Sequence, residues 1–376
     1  MKGCHPIMIF AGGTGGHVFP ALAVARKIEQ EGIPVVWVGT EKGIESKVVP
    51  STPYQFETIS IGGLRGKDMI TLLFAPIKMG LAGLQTVWLM LKHWPCAVLG
   101  MGGFVSGSGG LVAALFRRPL IIHEQNAIAG LTNRILAPFA KCVLVGFPNT
   151  IVHKNIEVVG NPVRMEISQG KRELPVAEPA DRPLRILVAG GSQGAHVLNQ
   201  TVPLALATLA FEERPEIWHQ SGQYKLDFTV QQYEACNVEA RVDAFIDSMH
   251  EAYAWADLVI SRAGAITVAE LALAGVGAIL VPYPHAVDNH QMANASALVK
   301  ADAALLIQEH EFTVEALAGL LRDLNIQRFR VKDIAKKIQS FAKPQAANHV
   351  ASICMQVCLD RNANRKDPSG ISSHDI

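Results

Sequence analysis

Residues 7–17 read IMIFAGGTGGH and residues 185–195 read RILVAGGSQGA. In both, a short aliphatic run enters a glycine-rich turn. Ile7–Phe10 is continuous and apolar, as a strand buried on both faces requires, and the apolar-periodic stretch Pro20–Glu31 predicts a helix after it. Pro34–Val38 is the next expected strand. Strands alternating with helices predict a parallel sheet covered by helices. Set side by side, Ala11-Gly12-Gly13-Thr14 matches Ala189-Gly190-Gly191-Ser192, and Gly16 falls beside Gly194, at an offset of 178 residues. That is close to half of the 376-residue chain, so two doubly wound α/β domains are expected, each opening with strand, glycine loop and helix.

Composition narrows the class. Hydrophobic residues make up 49% and charged residues 18%, and the mean hydropathy is +0.22. Such a balance fits either a core rich in alanine and leucine or some apolar surface facing a membrane. A net charge of +1 gives no general attraction to nucleic acid, and no nucleic-acid partner is expected. The six cysteines show neither a C-x-x-C pair nor zinc spacing, and read as scattered thiols in a reducing compartment. Met1–Phe10 reads as a first strand, not a signal peptide, and His93–Phe116, with a proline and six glycines, reads as strand, loop and helix. A cytoplasmic protein with no membrane span is therefore expected. Met165–Pro183 reads as linker and exposed loop, residues 344–359 as a last helix, and Asp360–Ile376 as a disordered polar tail.

Three glycine-rich loops follow expected strands: Gly12–Gly16, Gly100–Gly110 and Gly190–Gly194. Glycine lets backbone approach a ligand closely, and the helix that follows presents unpaired N–H groups to an anion. Phosphate is the expected ligand. Gly13-Thr14-Gly15-Gly16-His17-Val18 lacks the third glycine of a dinucleotide fingerprint, and none of the three loops carries a Walker lysine. A fourth site follows the strand ending at Ile260: Ser261-Arg262-Ala263-Gly264 turns into a helix, Ala265–Ala274, with Glu270 inside it and Gly275 after it. Glu270 suits a ribose diol while the helix start holds a diphosphate. The polar stretch 284–295 suits a polyhydroxylated ligand, or a solvated loop.

The stretches AGGTGGHVFPALA, GMGGFVSGSGG, HEQNAIAGLTNR, GNPVR, GGSQGA, SRAGAITVAE and HQMANA occur in that order. In them the chain resembles, end to end, the MurG family of peptidoglycan synthesis, the UDP-N-acetylglucosamine:lipid I N-acetylglucosaminyltransferases. Phe104 stands where a tyrosine is common in that family and Ser108 where proline is expected. The resemblance implies a GT-B fold, two Rossmann-like doubly wound domains facing a cleft. Residues 1–163 would be the acceptor and membrane-facing domain, completed by the helix 344–359, and 164–343 the UDP-sugar domain. It implies UDP-N-acetylglucosamine as donor and undecaprenyl-diphosphate-linked N-acetylmuramoyl-pentapeptide (lipid I) as acceptor. Carried over by position, Thr14, Gly15, Gly16, Asn126, Arg164, Ser192, Ile246, Ala265, Ile266, Thr267, Val268, Ala269, Glu270 and Gln291 are implied in donor binding. Ile246 would meet uracil through its backbone, Arg164 and Ser192 the diphosphate, and Gln291 the sugar. Gly13, Gly102 and Gly103 are expected at the acceptor diphosphate.

The implied reaction inverts the anomeric centre: the C4 hydroxyl of the muramoyl sugar attacks an α-linked donor. It needs a base and a home for departing UDP. No Asp-x-Asp motif occurs, and neither a metal nor a cofactor is expected; helix N-termini, backbone amides and Arg164 are expected to take the charge. His17 is one candidate base, its ordinary pKa lying near working pH, and Glu124 is the rival. Thr71–Trp94, with Lys78 and Lys92 inside it and Arg65 and Lys67 before it, reads either as a buried helix or as an apolar patch with a basic rim, extended by Arg117 and Arg118, that settles on anionic lipid. The implied station is the cytoplasmic face of the inner membrane, peripherally bound, with other cell-wall synthesis proteins as partners. UDP-N-acetylglucosamine 2-epimerases share the architecture and stand as a rival class, as does a sugar-nucleotide sensor without catalysis.

Overall fold

The computed structural model describes residues 5–62, 75–169 and 182–366. Two compact units account for them. The first comprises 5–62, 75–125, 129–162 and 345–366; the second comprises 126–128, 163–169 and 182–344. The segment 126–128 lies with the second unit, an exchange that a contiguous division at 163 does not contain.

In the first unit, β1 (Ile7–Phe10), β2 (Val35–Gly39), β3 (Gln55–Thr58), β4 (Ala97–Gly100), β5 (Leu120–Glu124), β6 (Cys142–Val145) and β7 (Ile156–Val158) form a sheet in the order β3-β2-β1-β4-β5-β6-β7. Every pairing is parallel, with Ile7 in register with Val35 on one side and Ala97 on the other. Alternate residues face opposite layers. Ile7, Ile9, Trp37, Leu99 and Ile121 pack with α1 (Gly15–Gln30); Met8, Phe10, Val36, Val98 and Ile122 pack under α3 (Ala75–His93), α4 (Gly103–Leu115) and α5 (Leu131–Leu136). A short α2 (Glu45–Val48) follows β2.

The second unit repeats the plan. After α6 (Met165–Gln169), β8 (Arg185–Ala189), β9 (Glu216–Gln220), β10 (Arg241–Asp243), β11 (Leu258–Ser261), β12 (Gly277–Leu280) and β13 (Leu305–Leu306) lie in the all-parallel order β10-β9-β8-β11-β12-β13. Its helices are α7 (His196–Ala207), α8 (Leu226–Ala235), α9 (Met249–Trp255), α10 (Ala265–Ala274), α11 (His290–Val299), α12 (Val314–Ile326) and α13 (Arg328–Gln339). One core layer joins Ile186, Val188, Leu258 and Ile260 to Leu198, Val202, Leu317 and Leu321. The last helix, α14 (Ala346–Lys366), belongs to the first unit. It lays Val350, Ala351, Cys354 and Val357 into the layer beneath α1.

In each unit the strand order reverses between the first strand and the fourth, β1 and β4, or β8 and β11. Ligands of open parallel sheets bind beyond the carboxyl ends of strands at such a switch point. The loops there are Gly12–Gly16 with Met101–Gly103, and Gly190–Gly194 with Arg262–Gly264.

Three expectations change. Asp360–Lys366 were assigned to a disordered tail, but α14 runs through them. The apolar stripe ends near Leu359, whereas a helix persists wherever one solvated face can remain polar. Cys96 and Cys358 are not isolated thiols; they form a disulfide across 262 residues. Arg118 does not extend a basic rim: it is buried, with its guanidinium 3.6 Å from the centre of the Trp94 ring and donating to the Pro95 carbonyl. Arg65 and Lys67, residues 71–74, 170–181 and the tail beyond 366 lie outside the described residues.

Candidate active site

In the first unit, β1 delivers the chain to Ala11, and Gly13 turns it with φ +91°, a conformation that glycine alone adopts without strain. Thr14 is the N-cap of α1, in extended geometry, and its hydroxyl does not cap the helix; it lies 3.4 Å from Nδ1 of His17. The second glycine loop lies against the same imidazole. A Cβ on Gly102 would stand 3.0 Å from His17 Nε2, and one on Gly103 3.5 Å from Nδ1. Both glycines have positive φ. Gly13, Thr14, Gly15, Gly16, His17, Gly102 and Gly103, far apart in sequence, thus gather at one switch point. The N–H of Gly13, expected on a diphosphate, instead donates to Oε2 of Glu45 at 3.0 Å.

Glu124, the rival base, is buried at the end of β5. Its Oε2 accepts the N–H of Gly130, the N-cap of α5, at 3.0 Å and the Asn133 side-chain amide at 2.8 Å. Both donors stand at the start of α5, so the carboxylate ties that helix start to the end of β5. Beside it, burial pushes the pKa of His123 down to about 4, so the ring is neutral; its Nε2 donates to Gly160 O at 3.0 Å and its Nδ1 accepts from Gln125 at 3.1 Å. Phe104 is half exposed at the start of α4, and the Ser108 hydroxyl donates to Val105 O.

In the second unit, α10 starts at Gly264, whose extended geometry (φ −63°, ψ 142°) supplies no side chain to cap the first turn, Ala265–Thr267; Val268 and Ala269 continue it. Glu270 is buried one turn further on. Its Oε2 accepts from Tyr253 Oη at 3.0 Å, and its Oε1 faces an Arg164 guanidinium nitrogen at 3.3 Å. Burial raises the carboxyl above its ordinary pKa, while Arg164 and the Tyr253 hydrogen bond hold it back. Ser192 is exposed on the third loop, where Gly191 and Gly194 both take positive φ. The N–H of Ile246 donates to Gln220 Oε1 at 3.2 Å, beside a half-exposed Phe245. Oε1 of Gln291 accepts from the N–H groups of Ala263 (3.2 Å) and Tyr283 (2.9 Å). This fixes the amide orientation and leaves Nε2 as the donor.

Asn126 sits in this unit because buried Asn294 holds it there. Asn294 accepts the N–H of Ala127 at 2.8 Å, and its amide nitrogen donates to Asn126 Oδ1 (3.3 Å) and to Ala263 O (3.1 Å). Tyr253, Gln220, Asn294 and Glu45 were not visible as site residues in the sequence; the polar stretch 284–295 gave the only hint, and only for Asn294. Among the described residues no group of three or more His, Cys, Asp or Glu could hold a metal ion. None of the described helices is long and apolar enough to cross a membrane.

The first unit thus brings an imidazole to two glycine turns, and the second sets a buried carboxylate beside an arginine, one turn from an uncapped helix start. Comparison with known proteins points the same way. The family model described as glycosyltransferase family 28 N-terminal domain matches residues 7–145, and the family 28 C-terminal domain matches 185–350. The chain is 49% identical over 352 residues to a Nitrosococcus oceani protein named UDP-N-acetylglucosamine–N-acetylmuramyl-(pentapeptide) pyrophosphoryl-undecaprenol N-acetylglucosamine transferase, covering 93% of this chain and 98% of that one. The crystal structure of Acinetobacter baumannii MurG superposes with a TM-score of 0.81 at 40% identity, covering 94% of this chain and 99% of that one. A Neisseria meningitidis UDP-GlcNAc 2-epimerase shares the fold, with a TM-score of 0.64 at 11% identity and coverage of 93% and 99%.

Proposed function

We infer that this chain, which belongs to glycosyltransferase family 28, transfers N-acetylglucosamine from UDP-N-acetylglucosamine to the muramoyl-pentapeptide that undecaprenyl diphosphate carries. The observation that carries this is the near-complete coverage, at 49% identity, of a relative named for that reaction. The epimerase likeness, at 11% identity, speaks for fold alone. Incubating the purified protein with labelled UDP-N-acetylglucosamine and lipid I should yield a labelled disaccharide-lipid. Release of UDP without lipid acceptor, or no product with it, would sink the reading.

The residues divide the work. His17 takes the proton of the attacking C4 hydroxyl. Glu124 anchors the loop between β5 and α5 and takes no proton. In the second unit Glu270 accepts the ribose hydroxyls, and Arg164 exchanges its partner Glu270 for the diphosphate. The open first turn of α10 and the third glycine loop supply further N–H donors to the leaving UDP. One helix terminus contributes only about 0.3–2 kcal/mol, so these donors have to converge. Gln291 donates to a sugar hydroxyl through Nε2.

The acceptor's lipid calls for a membrane surface, and α3 supports one. Ile77, Leu81, Leu84, Trp88 and Leu91 recur at spacings of three and four and are all more than half exposed. Leu111 and Leu115 on α4, which packs beside it, and Leu131 and Ile135 on α5, which packs against α4, add exposed apolar side chains. A stripe this long facing water is an interaction surface. Lys78 is exposed on α3; Lys92 lies over Trp88 and pairs with Glu57 at 2.8 Å, so less of its charge is free for lipid. Leu84→Glu together with Trp88→Glu should lower vesicle co-sedimentation by about tenfold or more, since each buried leucine or tryptophan side chain contributes about 1.5–3 kcal/mol. Undiminished sedimentation would remove α3 from the role, and equal binding to neutral and anionic vesicles would remove the basic rim.

A further inference from the structure

Behind the first glycine loop lies a carboxylate with no assigned job. Glu45, the first residue of α2, is completely buried. Three glycines make room for it: a Cβ on Gly12, Gly39 or Gly43 would collide with its side chain. Its Oε2 accepts the N–H of Gly13 at 3.0 Å; its Oε1 accepts the N–H and the hydroxyl of Thr40 at 2.9 and 2.7 Å. The Thr40 hydroxyl in turn accepts the N–H of Gly43 at 3.2 Å. No ion pair to Glu45 is formed among the described residues, so N–H and O–H dipoles hold the charge. A carboxylate removed from water needs such donors, and the loops that provide them lose their freedom in return. A negative charge here does nothing to attract an anion to the loop. Its value is geometric: with Gly13 pinned inward at φ +91°, the next residues, Thr14 to His17, leave the turn in one direction. That direction carries the imidazole to Gly102 and Gly103.

We propose that Glu45 is a positioning residue for the transfer reaction: by accepting the Gly13 N–H it fixes the Gly12–Gly16 turn, and through it His17, while touching no substrate. This rests on the transferase reading given above. Glu45→Gln is a selective probe. The carboxamide oxygen goes to the side with two donors, Thr40, and the NH₂ group then faces the Gly13 N–H, donor against donor. The fold keeps its filled space while one hydrogen bond is lost.

With full-length protein, E45Q should lower kcat/KM for lipid I by about 10–100-fold, the scale of a displacement of about 1 Å in a reacting group. KM for UDP-N-acetylglucosamine should rise by no more than about threefold, because Arg164, Ser192, Ile246, Glu270 and Gln291 belong to the other unit and only Thr14, Gly15 and Gly16 of the donor set lie on the turn that Glu45 holds. In ¹⁵N-glycine-labelled enzyme the Gly13 amide should be protected from hydrogen exchange in the wild type and lose that protection in E45Q. T40V, which keeps the Gly13 bond, should retain the protection and cost about fivefold at most. Folded E45Q with wild-type acceptor kinetics would overturn the proposal, as would equal losses in E45Q and T40V, or a wild-type Gly13 amide that exchanges freely. The last result is decisive even if E45Q fails to fold. Wild-type enzyme that makes no disaccharide-lipid would sink the transferase reading instead, leaving the exchange data to judge Glu45.

Discussion

Replacing His17 with alanine is expected to lower kcat for transfer by about 10²–10⁴-fold, the usual contribution of a positioned base. KM for UDP-N-acetylglucosamine should move by no more than about twofold, as befits an interaction made in the transition state. His17 lies where the first two glycine loops meet; Gly102 approaches its ring so closely because it lacks a Cβ atom, and Thr14 Oγ1 stands beside Nδ1. Glu124 provides the contrast. With Gly130 and Asn133 donating to it, its replacement by glutamine should loosen the start of α5 and lower thermal stability more than the pH-dependent part of kcat. Steady-state kinetics on both substrates across pH 5–9, with thermal melts, separate the two. A His17→Ala enzyme with near wild-type kcat, or a Glu124→Gln enzyme of low kcat that no longer shows the wild-type fall in rate toward acid pH, would reverse the assignment.

Gly194→Ala is expected to be the most damaging single-methyl change in the second unit. Gly194 has φ +64°, which costs a residue with a side chain about 1–2 kcal/mol. Its new Cβ would overlap the carbonyl of Ser221. Neither side can retreat easily. Ser221 O is held by the Asn199 side-chain amide at 2.9 Å, and Gly194 O by Lys225 Nζ at 2.9 Å. Overpacking adds about 1–3 kcal/mol. Together these lower Tm by about 5–20 °C, at about 2–4 °C per kcal/mol for a unit this size. The loop proposed to offer its amides to the diphosphate is displaced at the same time, so KM for the donor should rise by about tenfold or more. Gly191→Ala is the internal control, because Gly191 also has positive φ, +82°, but a Cβ there meets nothing within 4 Å. It should show the backbone cost alone. Equal damage from the two substitutions would mean that the Ser221 contact carries no weight.

What the sequence revealed and what it hid follow from the range of the signals. Ile7–Phe10 and Arg185–Ala189 announce themselves because a doubly covered strand is apolar without interruption, and the loops after them because positive φ calls for glycine. Those are local constraints. Glu45 lies in a charged stretch, EKGIESK, that looks like solvated loop; nothing nearby says that Gly13, 32 residues earlier, needs an acceptor. Tyr253 and Asn294 are similarly defined by partners 17 and 168 residues away. Arg118 looked equivalent to its neighbour Arg117, but Arg117 has φ +50° and the two side chains part company, one to solvent and one over Trp94. The stripe on α3 was legible as apolar and helical, while its exposure depends on what packs against it, which periodicity does not encode.

The return of α14 to the first unit sets a schedule for synthesis. Strands β1 to β7 leave the ribosome long before Val350, Ala351, Cys354 and Val357, the side chains that close the layer beneath α1. At translation speeds of about 5–20 residues per second, the intervening second unit takes roughly 10–40 seconds to emerge. During that interval the nascent first unit carries an uncovered apolar groove between α1 and β4. Chaperone engagement belongs to that window, and premature stop codons upstream of α14 should yield chains that are degraded rather than shorter enzymes that work.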